Sequence, residues 1–281
     1  MTEVAFVAFW LAMALYAGAT VLYAYQVATK RAALSWYATF ATGAGFLLHT
    51  ASIGLRSTAT DGTQLTGSNV LVLMAWALVL VYFVLEHVMK VKTYGALLVP
   101  AALIVLLVAQ VMGASRGVLA ELSTEQAALL DSWRVGIHVA LIAFANAGYA
   151  VGAVGSLLYV VIDRQLKRRK TTKLFTRLPS LAQTDRLARR SIAWAFPVYS
   201  AGMLLGALRA METDVSLWGA DARVVLAGLV WLAYALYQFM RWRKGWAGRS
   251  AAYLSLAGFS LVVVLAIVAR TVPAGFHVFG L

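Results

Sequence analysis

Four histidines are the residues best equipped for chemistry in this 281-residue chain, and cysteine is absent. A neutral imidazole can ligate haem iron, copper or zinc through one ring nitrogen. The lack of thiols excludes a thiolate metal site, an iron–sulfur cluster, a redox dithiol and covalent haem attachment to this chain. The histidines are His49, His87, His138 and His277, and no pair shows H-x-H or H-x-x-x-H spacing. Zinc and copper sites usually recruit a third or fourth close ligand. Two imidazoles from distant segments, closing on a flat ligand from opposite sides, suit bis-imidazole haem iron better. The bland alternative stays open for each: a lone histidine often simply satisfies a backbone carbonyl.

The elements that must carry these residues are set by composition. Hydrophobic residues make up 62% of the chain and charged residues 12%, against ~25% charged in soluble domains. That excludes a soluble enzyme, a disordered tail and a secreted disulfide scaffold, and makes a bilayer the solvent. About 20 apolar residues cross the hydrocarbon core as a helix. Eight such windows are readable, at about 4–28, 34–55, 69–89, 95–112, 136–163, 191–211, 224–241 and 250–269. The expected fold is all-α: a polytopic integral membrane protein of eight transmembrane helices forming a single transmembrane domain over 1–281. The first window follows Met-Thr-Glu and reads as a retained helix rather than a signal peptide.

Loop charge predicts the orientation. With the N-terminus outside, the cytoplasmic loops 29–33, 90–94, 164–190 and 241–249 hold 18 of the 24 Lys and Arg. Eight of the eleven acids then fall outside. The positive-inside rule therefore predicts N-out and C-out, in an inner or plasma membrane, multi-pass. The net charge of +13 reads as anchoring to an anionic inner leaflet. Nucleic-acid binding is not expected, since segment 164–190 has a single aromatic, Phe175, where stacking would need several. In that basic loop, Leu174, Leu178 and Leu181 recur at helical spacing, and Pro179-Ser180 with Gln183 resembles a helix start. A short amphipathic helix on the headgroups and a solvated basic linker are both admissible there.

This topology gathers three histidines toward the outer side. His138 begins the fifth span, His277 lies in the outer tail, and His49 lies fifteen residues after Leu34, ~22 Å into a ~30 Å slab. His87 falls near the cytoplasmic end of span three, beside Glu86. Trp218 and Asp221 share the outer side, where Trp218 could pack on a macrocycle. Arg134, Arg223 or Arg270 could pair with its propionates.

Three stretches resemble the cytochrome c assembly protein family, the haem-handling proteins called CcsA or ResC, with HemX as a shorter relative. Leu178-Pro179-Ser180-Leu181, Asp185-Arg186-Leu187 and Phe196-Pro197 are similar to its L-P-S-L…D-R-L…F-P run. Gly245-Trp246-Ala247-Gly248-Arg249, Ala251-Ala252 and Gly258-Phe259 resemble its approach to the last span. His138-Val139, Gly275-Phe276-His277 with Gly280, and His49-Thr50 resemble its histidine framework. The resemblance implies that His138 and His277 are axial ligands presenting non-covalent haem b at the extracytoplasmic face, with His49 as an intramembrane ligand. It also implies that Trp218, Asp221 and Arg223 belong to the haem-cradling loop. That loop departs from the family pattern: Asp214 and Val215 replace W-G, Ala220 replaces a tryptophan and Ala222 a proline. Phe239 stands where many members have a further membrane histidine.

The leading expectation is a haem-handling component of c-type cytochrome biogenesis. Its partners would be apocytochrome c and a membrane partner subunit of the maturation system. The second is a HemX-like accessory subunit of a larger membrane complex without haem turnover, which the degenerate loop favours. A transporter comes third, because mid-span charges are few. No self-contained catalytic site is read, so enzyme status stays open.

Overall fold

The computed structural model describes residues 2–29, 31–59, 67–89, 94–114, 132–168, 179–212, 222–243 and 245–271. Their regular structure is helical: α1 Thr2–Thr29, α2 Ala32–Ala59, α3 Gly67–Met89, α4 Gly95–Ala114, α5 Trp133–Lys167, α6 Leu181–Glu212, α7 Ala222–Arg243 and α8 Arg249–Thr271. Six of them, α1, α3, α5, α6, α7 and α8, are long and apolar enough to cross a membrane by length and composition. α4 offers a shorter apolar run, Gly95–Val111. α2 stands outside that set because Thr39, Thr42, His49, Thr50 and Ser52 interrupt its apolar sequence.

The helices form two compact units, α1–α4 and α5–α8. In the first, α1 lies along α2, and α4 also packs on α1. Phe9, Tyr16 and Tyr23 recur every seven residues on α1 and are all buried, as expected for one face of a helix. The opposing residues of α2 are small or polar. Ser52 donates to the Ala5 carbonyl at 2.8 Å, so an otherwise stranded hydroxyl is satisfied across the interface. Lower on the same pair, Tyr23 and Tyr82 share a hydrogen bond, and Tyr82 donates to Glu86 of α3. Thr39 joins this network through Tyr23 at 3.1 Å.

In the second unit, α5 and α6 make the most extensive contact of the molecule. Gly148, Gly152 and Gly155 line the α5 side of it, a small-residue stripe that lets two membrane helices approach closely. Tyr149 of α5 stacks on Tyr234 of α7 with centroids 3.6 Å apart, and Tyr199 of α6 closes the cluster at 5.6 Å. Pro197 sits inside α6 and removes one backbone donor from that helix.

The expected basic loop 164–190 is shorter than its sequence implies. α5 continues to Lys167 and α6 starts at Leu181, so no separate amphipathic helix occupies 181–190; residues 169–178 lie outside the described residues. The helix start at Pro179-Ser180 is present as a capping box. Gln183 N–H donates to Ser180 Oγ at 3.2 Å, and Ser180 N–H donates to Gln183 Oε1 at 2.9 Å. Two free helix-terminal donors are thereby satisfied reciprocally.

Candidate functional site

The candidate site is built around His138, in the second turn of α5. Its Nδ1 lies 2.7 Å from the Gly202 carbonyl of α6. A carbonyl can only accept, so Nδ1 carries a proton, and in the neutral ring the lone pair then resides on Nε2. A backbone carbonyl holding the far ring N–H is how ligating imidazoles are oriented and their tautomer set. Satisfying a carbonyl through Nδ1 leaves the question of ligation to the other ring nitrogen, so the two alternatives read from the sequence are compatible in one ring.

α6 makes room for this ring with glycine. A Cβ on Gly206 would fall 2.8 Å from His138 Cε1 and 2.9 Å from Nδ1, but 3.6 Å from Nε2. The imidazole therefore lies against the α6 backbone with its Cε1–Nδ1 edge nearest. Gly202 and Gly206 form a G-x-x-x-G pair on α6, a spacing that marks close helix approach. That spacing is visible in the sequence and is the signal by which the ring's seat could have been found.

Three arginines lie at the same end of the unit as the imidazole. Arg134 lies four residues before His138, on the same face of α5, and forms an ion pair with Glu212 in the last turn of α6. Glu212 also pairs with Arg209 at 3.5 Å. The Arg134 guanidinium stands 5.4 Å over the Trp133 ring. Arg223, in the first turn of α7, is 5% exposed. Tyr199 Oη donates to the Ala227 carbonyl at 3.4 Å. Among the described residues, this end of the unit carries three guanidiniums, one carboxylate and one imidazole held by a backbone carbonyl.

His49 occupies a different environment, in the α1–α4 unit. It is fully buried, with Phe9 and Tyr16 packed edge-on at 6.1 and 6.0 Å. Its Nδ1 is 3.4 Å from the Tyr16 hydroxyl. Nε2 has no hydrogen-bond partner among the described residues. A buried, unsatisfied ring nitrogen is costly, and it fits a group whose missing partner is a metal. Arg56, seven residues on, lies 5.2 Å over the Phe9 ring. Tyr16 was not anticipated from the sequence; its place in the seven-residue aromatic repeat of α1 was the available signal. His87 is exposed at the end of α3 and is gathered into neither arrangement.

The donor chemistry of His49 and His138 fits an iron porphyrin: each offers an imidazole whose other nitrogen is held by a neighbour. Among the described residues no group of three His, Asp or Glu could hold a metal ion. His277, Trp218 and Asp221 lie outside the described residues, as does the side chain of Arg270. The structure therefore brings His138 and Arg223 to one end of the second unit and sets His49 in the first.

The motif residues behind the family resemblance do mechanical work at the opposite end of the second unit. Asp185 receives two parallel 2.9 Å hydrogen bonds from Arg241 of α7, the bidentate geometry of strong Arg–carboxylate pairs. Arg249, opening α8, pairs with Asp163 of α5. Gly248 has φ +72°, and a Cβ there would meet Tyr159 Oη at 2.8 Å. Both backbone hand and space call for glycine. Ala251 and Ala252 are buried, and Gly258 seats the Tyr234 ring.

Known proteins carry the same pattern. A family model described as cytochrome C assembly protein matches residues 65–277. The chain is 31% identical over 232 residues to the "Cytochrome c biogenesis protein CcsA" of Prochlorococcus marinus (strain MIT 9303), covering 74% of this chain and 72% of that protein. It is 26% identical over 245 residues to the protein of that name from Pyropia yezoensis, covering 75% and 76%. On the extent of these matches, the chain belongs to the cytochrome c assembly protein family.

Proposed function

We propose that this protein is a haem-handling membrane component of c-type cytochrome biogenesis. It holds non-covalent haem b as cargo at the extracytoplasmic face and offers it to apocytochrome c alongside a membrane partner subunit. The observation that carries this reading is the His138–Gly202 hydrogen bond, which fixes the imidazole through Nδ1 at the same end of the unit as Arg134, Arg209 and Arg223. In this reading His138 and His277 are the axial ligands, and His49 is an intramembrane ligand on the route. Trp218 covers the macrocycle, Asp221 belongs to the same loop and Arg223 faces the propionates. Haem, when bound, supplies the vinyl groups to which apocytochrome thiols add. The chain's own share is positioning, ligation and exclusion of water rather than acid–base chemistry. The membrane arrangement that goes with it has eight helices in one domain, N-out and C-out in the plasma membrane, with basic loops on the anionic inner leaflet.

A second reading, an accessory HemX-like subunit without haem turnover, draws support from the loop 213–221, whose single aromatic is Trp218. Large aromatics bury about 150–250 Å² each, so one ring holds a porphyrin less firmly than several. The absorption spectrum of the detergent-purified protein separates the two. The haem reading predicts a low-spin Soret band that His138→Ala and His277→Ala each abolish and Trp218→Ala weakens. A colourless protein that still co-purifies with a defined membrane complex favours the accessory role.

A further inference from the structure

Glu212 stands in an unexpected place for an anion-binding site, because it fills the site itself. Arg134 lies one turn from His138, on the face of α5 turned toward α6, and its partner in the structure is the Glu212 carboxylate. Arg209 pairs with the other oxygen of that carboxylate at 3.5 Å, so two guanidiniums share one acid. The side chains of Arg134 and Glu212 are 35% and 41% exposed. An ion pair that wet is weak and readily exchanged. A guanidinium presents the same planar fork to any carboxylate, so an incoming carboxylate can take over the position with little loss of hydrogen bonding.

We infer that Glu212 is an internal stand-in for the ligand's carboxylates: it neutralises Arg134 when the His138 site is empty and is displaced when a porphyrin carboxylate arrives. This rests on the haem reading above and adds a selectivity device to it. A dicarboxylate porphyrin can evict Glu212, while an uncharged one leaves the Arg134–Glu212 pair in place. Arg209 keeps the released Glu212 from being stranded, since that second pairing is within the same helix.

The full-length apoprotein in detergent, titrated with ferric haem and separately with its dimethyl ester, tests this through the Soret band. Glu212→Gln is expected to tighten ferric haem binding about three- to fivefold, the effect of removing one weak competing ion pair, and to leave the diester unchanged. Arg134→Gln is expected to lower the haem-to-diester affinity ratio and to erase the gain when combined with Glu212→Gln. The Arg134 variant carries the test alone should the Glu212 variant fold poorly. Equal shifts for both porphyrins, or weaker haem binding by Glu212→Gln, overturn the inference while His138-dependent binding persists. If neither porphyrin gives a band that His138→Ala removes, the haem reading itself fails and takes this inference with it.

Discussion

The placement of His138 is decided by atoms that carry no chemistry of their own. The Gly202 carbonyl holds its Nδ1, and the missing side chain of Gly206 gives the ring its seat. Gly206→Ala would put a methyl 2.8 Å from His138 Cε1, so the ring or the helix must move. Haem occupancy by Soret absorbance should fall at least several-fold. Gly228→Ala is the control: nothing lies within 4 Å of that position, and alanine is the better helix former by roughly 1 kcal/mol. It should leave occupancy unchanged and the melting temperature equal or higher. At this scale the sequence was half legible. Histidine type and scarcity pointed to His138 and His49, and Arg134 and Arg223 were candidates by their sign and side. What stayed hidden was Glu212 bridging Arg209 and Arg134, because an i,i+3 pair at a helix end is an ordinary surface feature until a neighbouring helix supplies the third group.

At the scale of elements, the α5–α8 unit divides its labour between its two ends. One end carries the oriented imidazole and the cations; the other is locked by Asp185–Arg241 and Asp163–Arg249. The Arg241 side chain is only 9% exposed, so removing its partner strands a charge that water reaches poorly. Asp185→Asn should destabilise the unit by up to roughly 3 kcal/mol, the low end for breaking a buried pair from one side. Thermal unfolding of purified protein should show this as a drop of several degrees, with the Soret maximum of the surviving holoprotein unmoved. A shifted maximum would place Asp185 in the haem site instead. The capping residues Ser180 and Gln183 were readable because caps are local. The loop around them was misjudged in length because Asp185, Arg186, Arg189 and Arg190 look like solvated loop charge. In fact they are the first turns of a helix projecting beyond its apolar stretch. α2 shows the converse: its polar residues dilute hydropathy, yet Thr42, His49 and Ser52 are buried against neighbouring helices.

Over the whole molecule, composition alone made the helical membrane class legible, since no soluble packing hides this much apolar surface. The pairing of helices into units was not, because every span is apolar and partner choice rests on small residues and isolated hydrogen bonds. Absence of cysteine makes the proposed topology directly measurable. In intact cells a membrane-impermeant maleimide should label Asp61→Cys, and it should reach Lys92→Cys only after permeabilisation. The reverse pattern would put the His138 end on the cytoplasmic side and remove the extracytoplasmic presentation of haem. The most direct check on the central claim is ligand rescue at His138. His138→Gly should lose the low-spin Soret band and regain it when free imidazole is added, because the side chain's part is ligation in a preformed seat. A band that survives the substitution untouched, or a wild-type protein that gains none on exposure to haem, would contradict the account.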